Sequence, residues 1–336
     1  MSMIHPRQAL HDSGEAPLPA LTVCDHYAGD EKRIRKALAL QTQLLAGRGP
    51  TFDVTGDCED GAPVGGEAAH VLMIAELIMS QENRFDHMGA RVHGYGHPSW
   101  QEEVDALVRI AGKRIAYITL PKAGNLANVQ CQVNFINEAV RTHGCERSIP
   151  VHVLIETPGA LNEAFAIAAL PEVESLDFGL LDFISAHHGA IPPDAMVSPG
   201  QFEHPLIRRA KETIAAAALC YHRVPSHSVT TEFRDLAIVS EDARRARNEF
   251  GFLRMWSIHP DQIEPIVAAM RPGYSAVEKA SEILLAAQDA QWGPIAFQGK
   301  LEDRASYRYY WQLLLRAYDT GVILGQEVLE RFFSKE

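Results

Sequence analysis

Two acids stand at matching positions in the chain. Glu156 closes the apolar run Val151-His152-Val153-Leu154-Ile155, and Asp182 follows Leu176-Asp177-Phe178-Gly179-Leu180-Leu181. Pro158-Gly159 comes after the first run, and Gly189 and Pro192-Pro193 after the second, so each reads as a short buried strand ended by turn residues. Each strand thus delivers a carboxylate at its carboxyl end. In a parallel α/β barrel that end is where active sites are built, and two converging carboxylates make an all-oxygen site suited to Mg²⁺. Taken singly, each acid is also open to a plainer role, as a helix N-cap or a solvated loop residue.

Other charged groups fall at comparable places. One apolar stretch ends in Asp57-Cys58-Glu59-Asp60-Gly61, another carries Arg91, and a third ends in Pro121-Lys122. An arginine facing a metal held by two carboxylates suits a substrate with an α-keto acid or carboxylate head. The guanidinium fork binds one charge and stabilises an enolate as it develops, which favours making or breaking a carbon–carbon bond next to a carbonyl. The alternatives stay open: Arg91 as a salt bridge at the barrel edge, and Glu59 or Asp60 as caps of the helix that starts near Gly66.

The elements that must position these groups alternate strand and helix. Apolar runs predict strands at 21–25, 52–57, 91–93, 115–120, 151–155, 175–181, 222–225 and 255–258. Between them, apolar residues at three- and four-residue spacing predict helices over 30–45, 67–80, 100–110, 126–140, 205–219 and 233–250. This rhythm predicts a (β/α)8 TIM barrel over residues 20–272, preceded by a loose N-terminal arm at 1–19. An open doubly wound sheet is the competing architecture, but Asp25-His26-Tyr27-Ala28-Gly29-Asp30 is neither a GxGxxG turn nor a P-loop. From 273 to 336 the pattern changes to a helix over 275–288, a Gly-containing hinge over 292–299 and an amphipathic helix over 307–333, a C-terminal lid and oligomerisation extension.

Composition narrows the class. The 336 residues are 46% hydrophobic and carry a net charge of -12, which gives ample core and no basic face for nucleic acid. Arg244-Arg245-Arg247 reads as the solvated side of a helix. Five cysteines without CxxC spacing indicate neither a disulfide framework nor a zinc site, consistent with a reducing cytoplasm. No run approaches the roughly 18 apolar residues of a membrane span.

In order along the chain, Asp57-Cys58-Glu59-Asp60-Gly61, Ala90-Arg91-Val92-His93, Leu120-Pro121-Lys122, Ile155-Glu156-Thr157, Phe178-Gly179-Leu180-Leu181-Asp182 and Trp256-Ser257-Ile258-His259-Pro260 resemble the signatures of the HpcH/HpaI aldolase and citrate lyase β-subunit family. The separation of the two acids, 182 − 156 = 26, is similar too. The resemblance implies a homo-oligomeric carbon–carbon lyase, a trimer or hexamer. Its cofactor would be Mg²⁺, with Mn²⁺ as a substitute, held by Glu156 and Asp182. Arg91 would bind the substrate carboxylate with Lys122 and Glu156 beside it, and Glu59 and Asp60 would lie near the metal waters. Gly299-Lys300-Leu301-Glu302-Asp303 resembles the lid turn of the acyl-CoA lyases in this family, which implies Asp303 as an acid/base reaching a neighbouring subunit; capping of the following helix is its other reading. The substrate would be a 3-hydroxy acid or its coenzyme A thioester of citryl, malyl or citramalyl type. A free-acid pyruvate-type aldolase and a partner-dependent β-like subunit are the alternatives, with a phosphoenolpyruvate-utilising transferase further off.

The chain departs from the family pattern at several strand ends. Asp25-His26-Tyr27-Ala28-Gly29 stands for a Val-Pro-Gly-like turn, Pro121-Lys122-Ala123-Gly124 for Pro-Lys-Val-Glu, and Arg91-Val92-His93 for Arg-Val-Asn, while Ala186-His187-His188-Gly189 follows the second acid. His93, His187 and His188 are candidates for proton carriage or for plain packing.

Overall fold

The computed structural model describes residues 4–10, 18–46 and 49–334. Eight parallel strands close a barrel: β1 Cys24–Ala28, β2 Phe52–Asp57, β3 Met88–Arg91, β4 Ile118–Leu120, β5 Val151–Ile155, β6 Val173–Phe178, β7 Val224–His227 and β8 Arg254–Ser257. Each strand pairs with its neighbour in sequence, and β1 closes the ring on β8 through Cys24↔Met255 and Asp25↔Trp256. Several of the helices between them start where a side chain satisfies a free N–H group. Asp30 accepts from Arg33 N at 2.8 Å, Asn125 from Asn128 N at 3.0 Å, and Thr157 Oγ1 from Ala160 N at 3.0 Å. Helices Glu31–Gln43, Glu67–Met79, Trp100–Ala111, Leu126–Thr142, Pro205–Cys220 and Leu236–Phe250 bury one apolar face each on the outside of the barrel.

The (β/α)8 barrel expected from the sequence is therefore present, but several strands sit elsewhere than predicted. β1 runs Cys24–Ala28 instead of 21–25, β3 runs Met88–Arg91 instead of 91–93, and β7 runs Val224–His227 instead of 222–225. The cause is the barrel interior, which is polar where an apolar run was sought. Arg254, with no exposed surface, places Nη1 2.7 Å from Asp53 Oδ2 and Nη2 3.1 Å from Asp25 Oδ2. Asp25 Oδ1 also accepts from Thr55 (2.8 Å) and Tyr117 (3.0 Å), and Tyr117 stacks on His152 at 3.8 Å. His87 Nδ1 lies 2.5 Å from Asp53 Oδ1, and Ser175 donates to Asp177. Burial alone would push Asp53 up, but Arg254 and His87 outweigh it and bring its pKa down to about 2. Asp25 and Asp177 are raised, chiefly by burial. One layer above this network, Tyr27, Leu154 and Trp256 form a separate apolar cluster with Val229.

The barrel unit comprises Leu18–Leu45 and Pro50–Met270, and the remaining described residues of the termini gather in a second compact unit. In that unit, helix Tyr274–Asp289, the hairpin Ile295–Phe297 with Lys300–Glu302, and helix Arg304–Asp319 bury Val277, Ile283, Leu284, Tyr307, Trp311 and Leu314. Part of the arm expected to be loose is folded here. Pro6–Leu10 is helical, Leu10 is buried with its carbonyl accepting from Arg308 Nε at 3.0 Å, and His5 Nε2 lies 3.0 Å from Phe332 O. Residues 1–3 and 11–17 of that arm lie outside the described residues. The single tail helix expected over 307–333 is interrupted after Asp319, where Gly321 takes φ 74 and ends the run.

Candidate active site

The carboxyl ends of β2 to β6 gather one charged cluster. The register pairs Asp57 with Arg91 across β2 and β3, and Arg91 grips Asp57 with both prongs: Nε to Oδ1 at 2.8 Å and Nη2 to Oδ2 at 2.6 Å. Arg91 Nη1 lies 3.1 Å from Glu59 Oε2. The turn that carries Glu59 is tied down because Asp57 also accepts the N–H groups of Glu59 (3.0 Å) and Gly61 (2.8 Å). Burial would raise Asp57, but Arg91 holds it below the usual carboxylate range, and the same pairing holds Arg91 charged against its own burial.

Lys122, left-handed at φ 50, faces two ways. Its ammonium lies 2.5 Å from Glu59 Oε1, 3.0 Å from Asp60 Oδ1 and 4.0 Å from Asp182 Oδ1. Its backbone N–H donates to Glu156 Oε1 at 2.5 Å. Glu156 is 1% exposed, and burial together with the charge of Asp182 pushes its pKa up to about 8. Asp182 lies half-buried in the first turn of helix Leu180–Ser185. Gly179, at the start of that helix, lets Glu156 lie against the backbone: a Cβ there would fall 2.0 Å from Glu156 Oε2.

The structure thus brings together Glu59, Asp60, Arg91, Lys122, Glu156 and Asp182, and adds Asp57, the partner of Arg91. Sequence reasoning passed over Asp57 as a site residue; the signal was its place four residues before Gly61 in an acid-rich turn. Five carboxylates (Asp57, Glu59, Asp60, Glu156, Asp182) face two cations (Arg91, Lys122). Both cations reach Glu59, while among the described residues the only hydrogen bond to Glu156 comes from a backbone N–H. The Glu156–Asp182 pair therefore has the charge and the oxygen donors of a hard divalent-cation site.

Asp303 belongs to the other unit, where it caps helix Arg304–Asp319: Oδ1 accepts from Ala305 N at 2.9 Å, and Ser306 closes the capping box. The histidines bond away from the charged cluster. His93 gives Nδ1 and its backbone N–H to Glu103 at 2.6 and 2.8 Å and stacks on His97, His187 Nδ1 lies 2.7 Å from Phe183 O, and His188 is exposed. A cavity of about 420 Å³ opens at the opposite end of the barrel, lined by His87, Lys113, Arg114 and Arg147. There His87 is paired with Asp53 and Arg114 with Asp86, and none of the clustered acids reaches it. A second set of donor atoms, from Asp25, His152 and Asp177, lies within 4.8 Å of one another in the sealed barrel interior, where Asp25 is already bound by Arg254.

No family model matches the chain. A solved structure described as a citrate lyase from Burkholderia xenovorans LB400 is 52% identical, with 98% of this chain and 100% of that one covered at a TM-score of 0.88. The chain belongs to the HpcH/HpaI aldolase and citrate lyase β-subunit family. Within that family, the L-malyl-CoA/beta-methylmalyl-CoA lyase of Cereibacter sphaeroides is 27% identical over 265 residues, 75% of this chain and 83% of that protein. The CitE protein of Mycobacterium tuberculosis, solved with magnesium, acetoacetate and coenzyme A, shares the fold at 23% identity and a TM-score of 0.68 over 90% of this chain. The departures from the family pattern at the first and third strand ends now have positions. Tyr27 lies in the aromatic layer below Arg91, and His93 is turned toward Glu103 on the surrounding helix.

Proposed function

We propose that this chain is a Mg²⁺-dependent carbon–carbon lyase that cleaves a 3-hydroxyacyl-CoA thioester to a 2-keto acid and an acetyl-CoA-like product. The observation that carries the reading is the wholly buried Glu156, raised to about 8 beside Asp182, with no side-chain cation bonded to it among the described residues, at the carboxyl-end mouth of the barrel. Its support from relatives is the malyl-CoA lyase of Cereibacter sphaeroides.

Glu156 and Asp182 would hold the metal. Bound Mg²⁺ supplies Lewis-acid polarisation of the substrate's hydroxyl and carboxylate oxygens. Arg91 is fixed by its fork on Asp57, so the N–H donors left on its terminal nitrogens present a pre-oriented grip for the substrate carboxylate and for charge that develops beside it. Lys122 holds Glu59 and Asp60 at the rim and, through its own N–H, orients Glu156. A base takes the proton of the C3 hydroxyl, the freed pair forms the C=O of the keto acid as the C2–C3 bond breaks, and the bonding pair passes into the thioester enolate. That enolate is then protonated at carbon, a step we assign to Asp303 of an adjacent subunit in a trimer or hexamer.

The test is incubation of the purified chain with Mg²⁺ and malyl-, citramalyl- and citryl-type CoA thioesters beside free 4-hydroxy-2-keto acids, with products identified by mass spectrometry. Thioester cleavage that disappears with EDTA, returns with Mg²⁺ or Mn²⁺, and is absent in Glu156→Ala supports the proposal. Cleavage of free acids alone moves the chain to the pyruvate-aldolase side. Turnover that appears only with added partner chains makes it a subunit. For the assembly, a mixture of inactive Glu156→Ala and Asp303→Asn chains regains activity if Asp303 acts across subunits, and stays inactive if it does not.

A further inference from the structure

We propose that the cavity at the amino end of the barrel is an anion site that takes a phosphate head, free or carried on a small organic body. It lies at the opposite end of the barrel from the carboxylate cluster, so it is independent of the lyase reading. Three connections that lead into strands build its charged side: His87 stands just before β3, Lys113 and Arg114 ahead of β4, and Arg147 ahead of β5. Leu21, Ala116 and Pro150 give it an apolar side. Its volume of about 420 Å³ is that of a small-molecule site.

Those four cationic groups face three carboxylates, Asp53, Asp86 and Glu174, in a chain whose net charge is -12. The cations differ in how far they are already spent. Arg114 is fully engaged, with Nε on Asp86 at 2.6 Å and its terminal nitrogens on the carbonyls of Met79, Ser80 and Asn83. His87 gives Nδ1 to Asp53 at 2.5 Å; burial would lower its pKa, but that bond outweighs burial and raises it, so the ring is a cation with Nε2–H as its remaining donor. Glu174 turns inward, 3.3 Å from His152 Nε2. Arg147 places its terminal nitrogens on the carbonyls of Ile115 and Ser148, which leaves its charge without a carboxylate. Lys113 is exposed and makes no hydrogen bond or ion pair among the described residues. A carboxylate is held best by an open guanidinium fork, and here the fork of Arg114 is filled and both prongs of Arg147 are turned to carbonyls. What remains is single donors from three connections: an imidazole N–H, an ammonium and the edge of a guanidinium. Point donors arriving from several directions suit the tetrahedral oxygens and higher charge of phosphate, and the apolar side would carry the body of a monoester.

The probes are inorganic phosphate, adenosine 5′-monophosphate and acetate, titrated by calorimetry into the full chain dialysed free of divalent ions, so that no metal draws them to the carboxylate cluster. Phosphate and the nucleotide should bind at least about 10-fold tighter than acetate, and Lys113→Glu and Arg147→Gln should each weaken them by about 10-fold or more, the worth of one charge-assisted hydrogen bond. Lys113→Glu removes no bond of the fold and should keep the parent's circular dichroism and urea midpoint, so the test stands even if Arg147→Gln unfolds. Tighter binding of the nucleotide than of phosphate supports a monoester whose body lies on the apolar side, and phosphate binding as well or better supports a free-phosphate site. Acetate binding as tightly as phosphate, no binding of phosphate or nucleotide, or unchanged affinity in Lys113→Glu overturns the proposal. Phosphate binding that is lost in Arg91→Lys but kept in Lys113→Glu overturns it too, because the anion then lies at the carboxyl-end mouth.

Discussion

Gly179→Ala is the sharpest perturbation of the proposed metal site, because it adds one methyl and changes no charge. Gly179 sits at φ −97, ψ 89, a conformation open to alanine, so the substitution carries no left-handed strain. The new Cβ would fall 2.0 Å from Glu156 Oε2 and 2.7 Å from Glu156 Cβ. Against an ordinary contact of 3.4 Å, the carboxylate oxygen must retreat by 3.4 − 2.0 = 1.4 Å. A rotation about the end of the side chain cannot relieve the clash at Cβ, and the Lys122 N–H holds Oε1 from the other side. Glu156 must then move relative to Asp182. A misplacement of about 1 Å costs on the order of 100-fold in turnover, about 2.7 kcal/mol in transition-state stabilisation. The expected result is an Mg²⁺ affinity at least about 10-fold weaker by calorimetry and a kcat/KM about 100-fold lower, with overpacking adding about 1–3 kcal/mol of lost stability. Gly96→Ala is the control, since a Cβ there meets no atom within 4 Å. A folded Gly179→Ala chain that binds Mg²⁺ and turns over within about twofold of the parent would refute the assignment of Glu156.

Three further outcomes follow from the geometry. Arg91→Lys exchanges the two-pronged grip on Asp57 for a point charge and should lower kcat/KM by about 100-fold or more while circular dichroism keeps the parent spectrum. Arg254→Met leaves Asp25 and Asp53 without their shared counter-charge in a site with no exposed surface, and should cost about 3–5 kcal/mol in urea unfolding. Asp53, held at about 2 against its usual 3.8, binds its proton later in the folded chain than in the unfolded one. Its stabilisation of about 2 kcal/mol should be present above roughly pH 4 and lost as pH falls toward 2, and unfolding of Asp53→Asn compared with the parent at pH 5 and pH 3 should show that slope removed.

The end of β5 was legible because both faces of a parallel strand are buried, so an apolar run that stops at an acid marks the strand's end, and Glu156 follows β5 as that pattern placed it. The run before Asp182 misled: β6 ends at Phe178 instead of 181, and Leu180, Leu181 and Asp182 form the first turn of a helix. β1, β3 and β7 were displaced in the reading because their inward residues, among them Asp25 and Ser226, interrupt any apolar run. Arg254 fell one residue outside its predicted strand for the same reason. The pairing of Asp57 with Arg91 depends on a register between β2 and β3 that no local pattern encodes. The Asp303 motif matched a lid turn by type, yet within its own chain the side chain is spent on capping, which spacing alone cannot distinguish.

The polar interior that displaced those strands also separates what the two charged layers do. The lower layer, Asp25, Asp53, Asp177 and Arg254, is buried, so its charges answer chiefly to one another and to His87, and their loss appears as lost stability. The upper layer has five carboxylates against two cations and opens to the mouth, so its excess charge can be met by a cation from solution. The plate of Tyr27, Leu154 and Trp256 stands between them. Arg254→Met should therefore unfold more readily while its folded fraction binds Mg²⁺ like the parent, and Gly179→Ala should weaken Mg²⁺ binding in its folded fraction, with a smaller loss of stability of about 1–3 kcal/mol. If Arg254→Met weakens Mg²⁺ binding in the folded protein as much as Gly179→Ala does, the two layers are one electrostatic unit and the separation by the plate is wrong.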